Sequence, residues 1–247
     1  MLVVTGLGAV VGAVLAADRT IGEGPPAITG PSPVPPPPGQ VLDLSVWKIS
    51  IPTVPEPTQI TMPRLAAFSD SSFQVVSAVQ FTAPVDGGVQ VGAKYPRSEL
   101  REMNSDGTPA QWSTTMGRHC MEVVQRISHL PMVKSELVAG QIHDANEYVV
   151  LILLKRAELS VKYQGATIGL LDAAYVLGTV FTLRIEATGG FIDVFYNGEQ
   201  RAHQADVRQG CYFKAGCYPQ SNLSKGGSPG DYGQVEIIRL TIDHTPV

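Results

Sequence analysis

Three short stretches hold the residues best suited to chemistry. In "YPRSELREM", residues 95–103, a period of two sets Tyr95, Arg97, Glu99, Arg101 and Met103 on one face and Ser98 and Leu100 on the other. Glu99 is expected to hold both arginines, leaving their outer edges free for bidentate contact with a carboxylate. Taken alone, this ladder reads better as an exposed ion-pair row of little energetic worth. In "AGQIHDANE", Gln141 and His143 share a face while Ile142 turns to the core. That pairs an amide donor with an imidazole able to take a proton near neutral pH. In "GCYFKAGCYPQS", residues 210–221, Tyr212, Lys214, Gly216 and Tyr218 share a face, and Cys211, Phe213, Ala215 and Cys217 pack behind it. Gly216 is expected to clear space for a bulky ligand beside Tyr218. Such a surface suits an acidic sugar polymer, with cations for its carboxylates and a phenol for stacking or proton transfer.

The elements that must position these residues are strands. "FQVVSAVQF" alternates, with Phe73, Val75, Val79 and Phe81 on one face and Gln74 and Gln80 on the other. "EYVVLILLKRAELSVKY" reads as two strands around a turn near residues 155–158, and "FTLRIEATGGFIDVFYNGEQ" carries hairpin signals at Gly189-Gly190 and Asn197-Gly198. "QVEIIRLTID" closes the chain as an apolar strand, and helical periodicity is confined to a turn or two near "PRLAAF". Many short strands without alternating helices predict an all-β sandwich of two antiparallel sheets, one of them curved into an open groove.

The chain has 247 residues, and its first forty differ from the rest. The apolar run within residues 1–17 ends in small residues, as the core and cleavage site of a secretory signal peptide do, although no Lys or Arg precedes Arg19. It is too short and too interrupted for a membrane span, so no membrane association is expected. Residues 18–40 include eight prolines between Pro25 and Pro38 and read as an extended linker. Residues 41–247 are then one domain, secreted and expected to be a monomer. The net charge of −4 argues against nucleic acid as a partner, since that needs a broad basic face, but permits a local basic cleft. Cys120, Cys211 and Cys217 match no zinc pattern and are expected to be buried thiols, with a bond from Cys120 to either of the others left open. His119, His129, His203 and His244 are read as structural.

"RSELRE", "QIH" and "YFKAGCYPQ" resemble, in order, the three signature motifs of the family seven polysaccharide lyases, the alginate lyases. "LDLSVWKISIP" resembles the family's opening strand and "SHLPMVKSELVAGQIHD" the run into its central motif, so the likeness spans nearly all of residues 41–247. The resemblance implies a β-jelly roll whose concave sheet binds alginate, a polymer of mannuronate and guluronate, and cleaves it by β-elimination. Removing the C5 proton piles charge onto the adjacent carboxylate, so stabilising that carboxylate is the central task. Arg97 and Gln141 are the candidates for it, with His143 nearby. By the family pattern His143 takes the C5 proton of guluronate and Tyr218 protonates the departing O4. With mannuronate Tyr218 could serve as both base and acid, which calls for a phenol whose pKa is lowered by Arg97, Arg101 and Lys214. Glu99, Arg101, Tyr212, Lys214 and Gln220 are assigned to substrate binding and positioning. Ile142 inside the Q-x-H motif leans the enzyme toward guluronate-containing blocks, and no metal or cofactor is expected.

Three other readings compete. A carbohydrate-binding module would explain the arginines and aromatics but not a Gln-x-His beside a tyrosine. A glycoside hydrolase needs two carboxylates about 5 to 10 Å apart across the groove, and Glu99, expected to be committed to the arginines, is the only acidic residue on the proposed groove face of the three motifs. A lyase acting on glucuronan is the nearest alternative.

Overall fold

The structure is a computed structural model and describes residues 34–246, so the expected signal peptide and most of the proline-rich linker lie outside the described residues. Among the described residues fifteen strands, numbered in chain order, form two antiparallel sheets. The first sheet has eight strands in the order β10 (Ala166–Asp172), β9 (Glu158–Tyr163), β8 (Tyr148–Lys155), β7 (Glu136–His143), β14 (Tyr212–Pro219), β5 (Ser98–Glu102), β1 (Trp47–Ile51) and β2 (Thr58–Ile60). The second has seven: β13 (Glu199–Ala205), β12 (Phe191–Tyr196), β11 (Phe181–Thr188), β6 (Arg118–His129), β15 (Tyr232–Thr245), β4 (Val79–Pro84) and β3 (Phe73–Val75). This is the expected all-β jelly-roll sandwich.

Alternation in the sequence decides which way each strand faces. Trp47, Ile49 and Ile51 of β1, Leu100 of β5, Ile142 of β7, and Phe213 and Ala215 of β14 all enter the core between the sheets. Each large apolar side chain removed from water contributes about 1.5–3 kcal/mol. A one-residue slip would expose the whole inward set, so the same burial fixes which residues face outward.

Three details refine the sequence reading. "FQVVSAVQF" is not one strand but a tight hairpin, in which Phe73 pairs with Phe81, Gln74 with Gln80 and Val75 with Val79. The assigned faces survive because this pairing keeps parity, and the two phenylalanine rings meet at 4.9 Å. Residues 38–40, the end of the proline-rich stretch, form a 3-10 turn with Pro38 buried, packed against a second such turn at Arg64–Ala67. All three cysteines are buried free thiols; burial pushes Cys211 up to about 12.

A polar seam ties the sheets together behind the third motif. Buried Glu102 accepts hydrogen bonds from Trp112 Nε1 at 3.0 Å and from the Phe213 backbone N–H at 2.7 Å. Its other oxygen meets His244 Nε2 at 2.8 Å, and His244 Nδ1 lies 2.7 Å from His119 Nδ1. His119 and His244, read from the sequence as structural, are both held in this seam.

Candidate active site

The pairing register lines the three motifs up across the outer face of the eight-stranded sheet. Lys214 of the central strand β14 sits between Arg101 of β5 and Gln141 of β7. Lys48 of β1 lies beyond Arg101, giving a transverse row Lys48–Arg101–Lys214–Gln141. Neighbouring rows bring Glu99 opposite Gly216 and His143 opposite Tyr212. Together they floor a groove of about 680 Å³ that contains every site residue expected from the sequence: Arg97, Glu99, Arg101, Gln141, His143, Tyr212, Lys214, Tyr218 and Gln220. The lining carries five Lys or Arg side chains against two carboxylates. A chain of net negative charge thus presents a locally positive cleft, as an anionic polymer requires.

Glu99 is the electrostatic hub. It is 2 % exposed and pairs with Arg97 Nη1 at 3.2 Å and with Lys214 Nζ, and it accepts a hydrogen bond from Gln141 Nε2 at 2.5 Å. Burial works to raise its pKa, but Lys214, Arg97 and Gln141 together hold it below the usual carboxylate range. Lys214 is pulled down to about 8, chiefly by burial, with Glu99 opposing that fall. The Arg97 Nε is buried with no hydrogen-bond partner.

The expectation that Glu99 would hold both arginines is corrected. Arg101 turns away, donates to the carbonyls of Glu102 at 2.5 Å and Ala110 at 3.3 Å, and lies 4.0 Å over the Tyr212 ring. The cation seated on Glu99 in its place is Lys214, brought in by the β14–β5 pairing.

Gly216 also has a different role from the one expected. A Cβ there would not enter the groove: it would lie 2.7 Å from the Ser98 carbonyl oxygen and 3.0 Å from Phe81 in the core. Its φ of +128° favours glycine, and β14 gains one residue on β7 between Ala215 and Tyr218. Gly216 therefore makes the bulge that aims Tyr218, rather than room for ligand.

Tyr218 and His143 lie on opposite sides of Lys214 along β14, and their environments push them in opposite directions. Arg97 stacks 3.9 Å over the Tyr218 ring, yet the phenol's pKa is raised, correcting the expected depression. Burial outweighs the guanidinium, and Glu99 adds to the upward push. His143 is shifted downward, chiefly by burial, with Lys214 and Arg97 assisting against the opposing hydrogen bond to Asp144 O and the charge of Glu99. The site thus holds a protonated phenol and an unprotonated imidazole at neutral pH.

Several lining residues escaped the sequence reading: Lys48, Gln90, Lys94, Asn146, Glu147 and Tyr148. Lys48 carried a usable signal, since Trp47, Ile49 and Ile51 point inward and so turn Lys48 and Ser50 outward. The others lie in or beside connecting segments without periodicity.

Fold and groove together define a jelly-roll polysaccharide lyase. The chain belongs to the alginate lyase family, whose model matches residues 42–244. Among solved structures it is similar to alginate lyase AlgAT5 from polysaccharide lyase family 7, with 44% identity, coverage of 85% of this chain and 99% of that one, and a TM-score of 0.83. It is also similar to the alginate lyase from Corynebacterium sp., at 38% identity, 85% and 99% coverage and a TM-score of 0.82. A third similar structure is a variant of family 7 alginate lyase A1-II′ in complex with product (GGG), at 26% identity, 85% and 100% coverage and a TM-score of 0.76. Comparison with curated protein sequences returns no match.

Proposed function

We propose that this alginate lyase prefers guluronate-containing blocks, with His143 as base and Tyr218 as acid. The observation that carries this reading is the opposed pair of shifts, phenol up and imidazole down. Titratable groups pushed apart by their surroundings mark acid and base roles. His143 takes the C5 proton, the C5–H electron pair forms the C4=C5 double bond, and the C4–O4 bond breaks. O4 leaves with the proton of the Tyr218 hydroxyl. Arg97 and Gln141, both lining the groove, are assigned to the substrate carboxylate as it gathers charge, Gln141 through its second amide proton. Tyr218 as sole base, the route open to mannuronate, would need a tyrosinate that this burial disfavours. The polymer's size supports action outside the cell.

The test is ultraviolet absorbance of the new conjugated double bond, with polyguluronate, polymannuronate and glucuronan supplied separately. Polyguluronate is expected to react fastest; fastest reaction on polymannuronate would overturn the preference. Tyr218→Phe is expected to lose about 10²–10⁴-fold in turnover with polymer binding largely kept. Unchanged turnover would remove Tyr218 from the mechanism.

A further inference from the structure

His143 Nδ1 has two neighbours that make opposite demands on it. The Asp144 carbonyl oxygen, 2.5 Å away, can only accept, and so requires a proton on Nδ1. The Tyr212 hydroxyl, 3.2 Å away with its ring stacked at 5.5 Å, can instead donate to a bare Nδ1. The first arrangement leaves Nε2 unprotonated; the second places the proton on Nε2 and removes the base. The Asp144 carbonyl therefore decides which nitrogen is available, and what holds Asp144 matters.

Asp144 is buried beneath the turn that follows β7. Its Oδ1 accepts the backbone N–H groups of Asn146 at 2.7 Å and Glu147 at 2.8 Å, and its own N–H donates to the Glu147 carbonyl at 2.9 Å. Its Oδ2 accepts from Arg208 Nη1 at 3.0 Å. Arg208 comes from the segment joining β13 to β14 and is itself anchored by Asp206, at 3.4 Å from Nε, and by Glu147, at 3.4 Å from Nη1. Its backbone is bound to Thr114 through the N–H to Oγ1 at 2.9 Å and the carbonyl to the Thr114 N–H at 3.0 Å. Tyr163 OH donates to the same Asp206 carboxylate at 3.0 Å. Arg208 thus pins the turn from outside the groove and makes no hydrogen bond or ion pair to His143 or to any groove-lining residue other than Glu147.

We propose that Arg208 is a positioning residue for elimination: by clamping Asp144 it keeps the Nδ1 proton of His143 on the Asp144 carbonyl and leaves Nε2 free to take the C5 proton. This rests on the reading of His143 as the base for guluronate. Releasing the clamp lets the carbonyl swing away and the Tyr212 hydroxyl take over Nδ1.

The experiment compares wild type with Arg208→Met and Arg208→Lys on polyguluronate and polymannuronate. In parallel, nitrogen-15 NMR of the five histidines reads the His143 tautomer, assigned with His143→Asn. Arg208→Met is expected to lower kcat on polyguluronate about 10-fold, part of the factor a general base supplies, with KM changed less than about 2-fold. Polymannuronate turnover should change far less, Nε2 should gain proton occupancy, and Arg208→Lys should restore most of the rate. Equal losses on both polymers, or an unchanged tautomer, would overturn the proposal. Should Arg208→Met not fold, Asp144→Asn keeps the turn's backbone hydrogen bonds while removing the ion pair; it should show the same split, and wild-type behaviour would count against the clamp. Retained polyguluronate turnover in His143→Asn would instead refute the underlying role of His143.

Discussion

Glu99→Gln tests the electrostatic centre of the site. It removes a carboxylate that two buried cations share, since the side chains of Arg97 and Lys214 are 12% and 8% exposed. Breaking a buried ion pair costs about 3–5 kcal/mol, because the charge left behind is uncompensated. For a domain of this size that lowers the melting temperature by about 6–20 °C. Part of the cost depends on pH. Lys214 titrates at about 8 in the folded protein against 10.5 in its ordinary state. At pH 7 the wild type therefore carries this proton both folded and unfolded. Without Glu99 the folded variant releases it at lower pH, so the unfolded chain binds more protons and the variant gains stability relative to wild type as pH rises. The gap closes once Lys214 is neutral in both folded proteins. One pH unit is worth about 1.4 kcal/mol, which bounds this share at pH 7 and removes it by pH 9. The Arg97 share stays, because a guanidinium does not deprotonate in this range. Urea unfolding followed by tryptophan fluorescence at pH 7 and pH 9 measures both numbers. A loss below about 1 kcal/mol, or a deficit that grows from pH 7 to pH 9, would refute the hub.

Two further outcomes follow from the same geometry. Gly216→Ala forces a side chain into positive φ and against the Ser98 carbonyl, so it should cost at least about 1–3 kcal/mol and lower turnover by displacing Tyr218; an unchanged melting temperature would discount the bulge. Because burial pulls His143 below its ordinary 6.5, the neutral base persists to lower pH, and the acid limb of kcat/KM on polyguluronate should have its midpoint below 6.5; a midpoint above that value would argue against His143 as base.

Much of this site was legible because strand parity is a local property. Ile142 and Phe213 are apolar, so Gln141, His143, Tyr212 and Lys214 had to face the other way whatever the strands' partners. Partnership itself is not local. Nothing between residues 95 and 103 reveals that Lys214, rather than Arg101, will sit on Glu99, because that follows from the β5–β14 register. The Gly216 misreading has a similar origin: a glycine on the polar face looks like cleared space until the bulge and the Ser98 carbonyl behind it are visible. The direction of the Tyr218 shift turned on burial, which sequence shows poorly at a groove wall, whereas the nearby cations were plain to see. Arg208 could not be associated with Asp144 at all, since they meet through two connecting segments with no periodic pattern.

The placement of β14 also governs how the enzyme comes into being. β5 and β7 do not touch each other in the sheet; each pairs with β14, at partners 113 residues (Arg101 with Lys214) and 73 residues (Gln141 with Lys214) apart along the chain. Until that late strand is made and inserted, the arginine motif and the histidine motif belong to separate pieces of sheet, each with an open edge able to pair wrongly. Contacts of such separation form slowly, on the millisecond-to-second scale typical of sandwiches. A chain that stops before β14 lacks the strand that joins the arginine motif to the histidine motif.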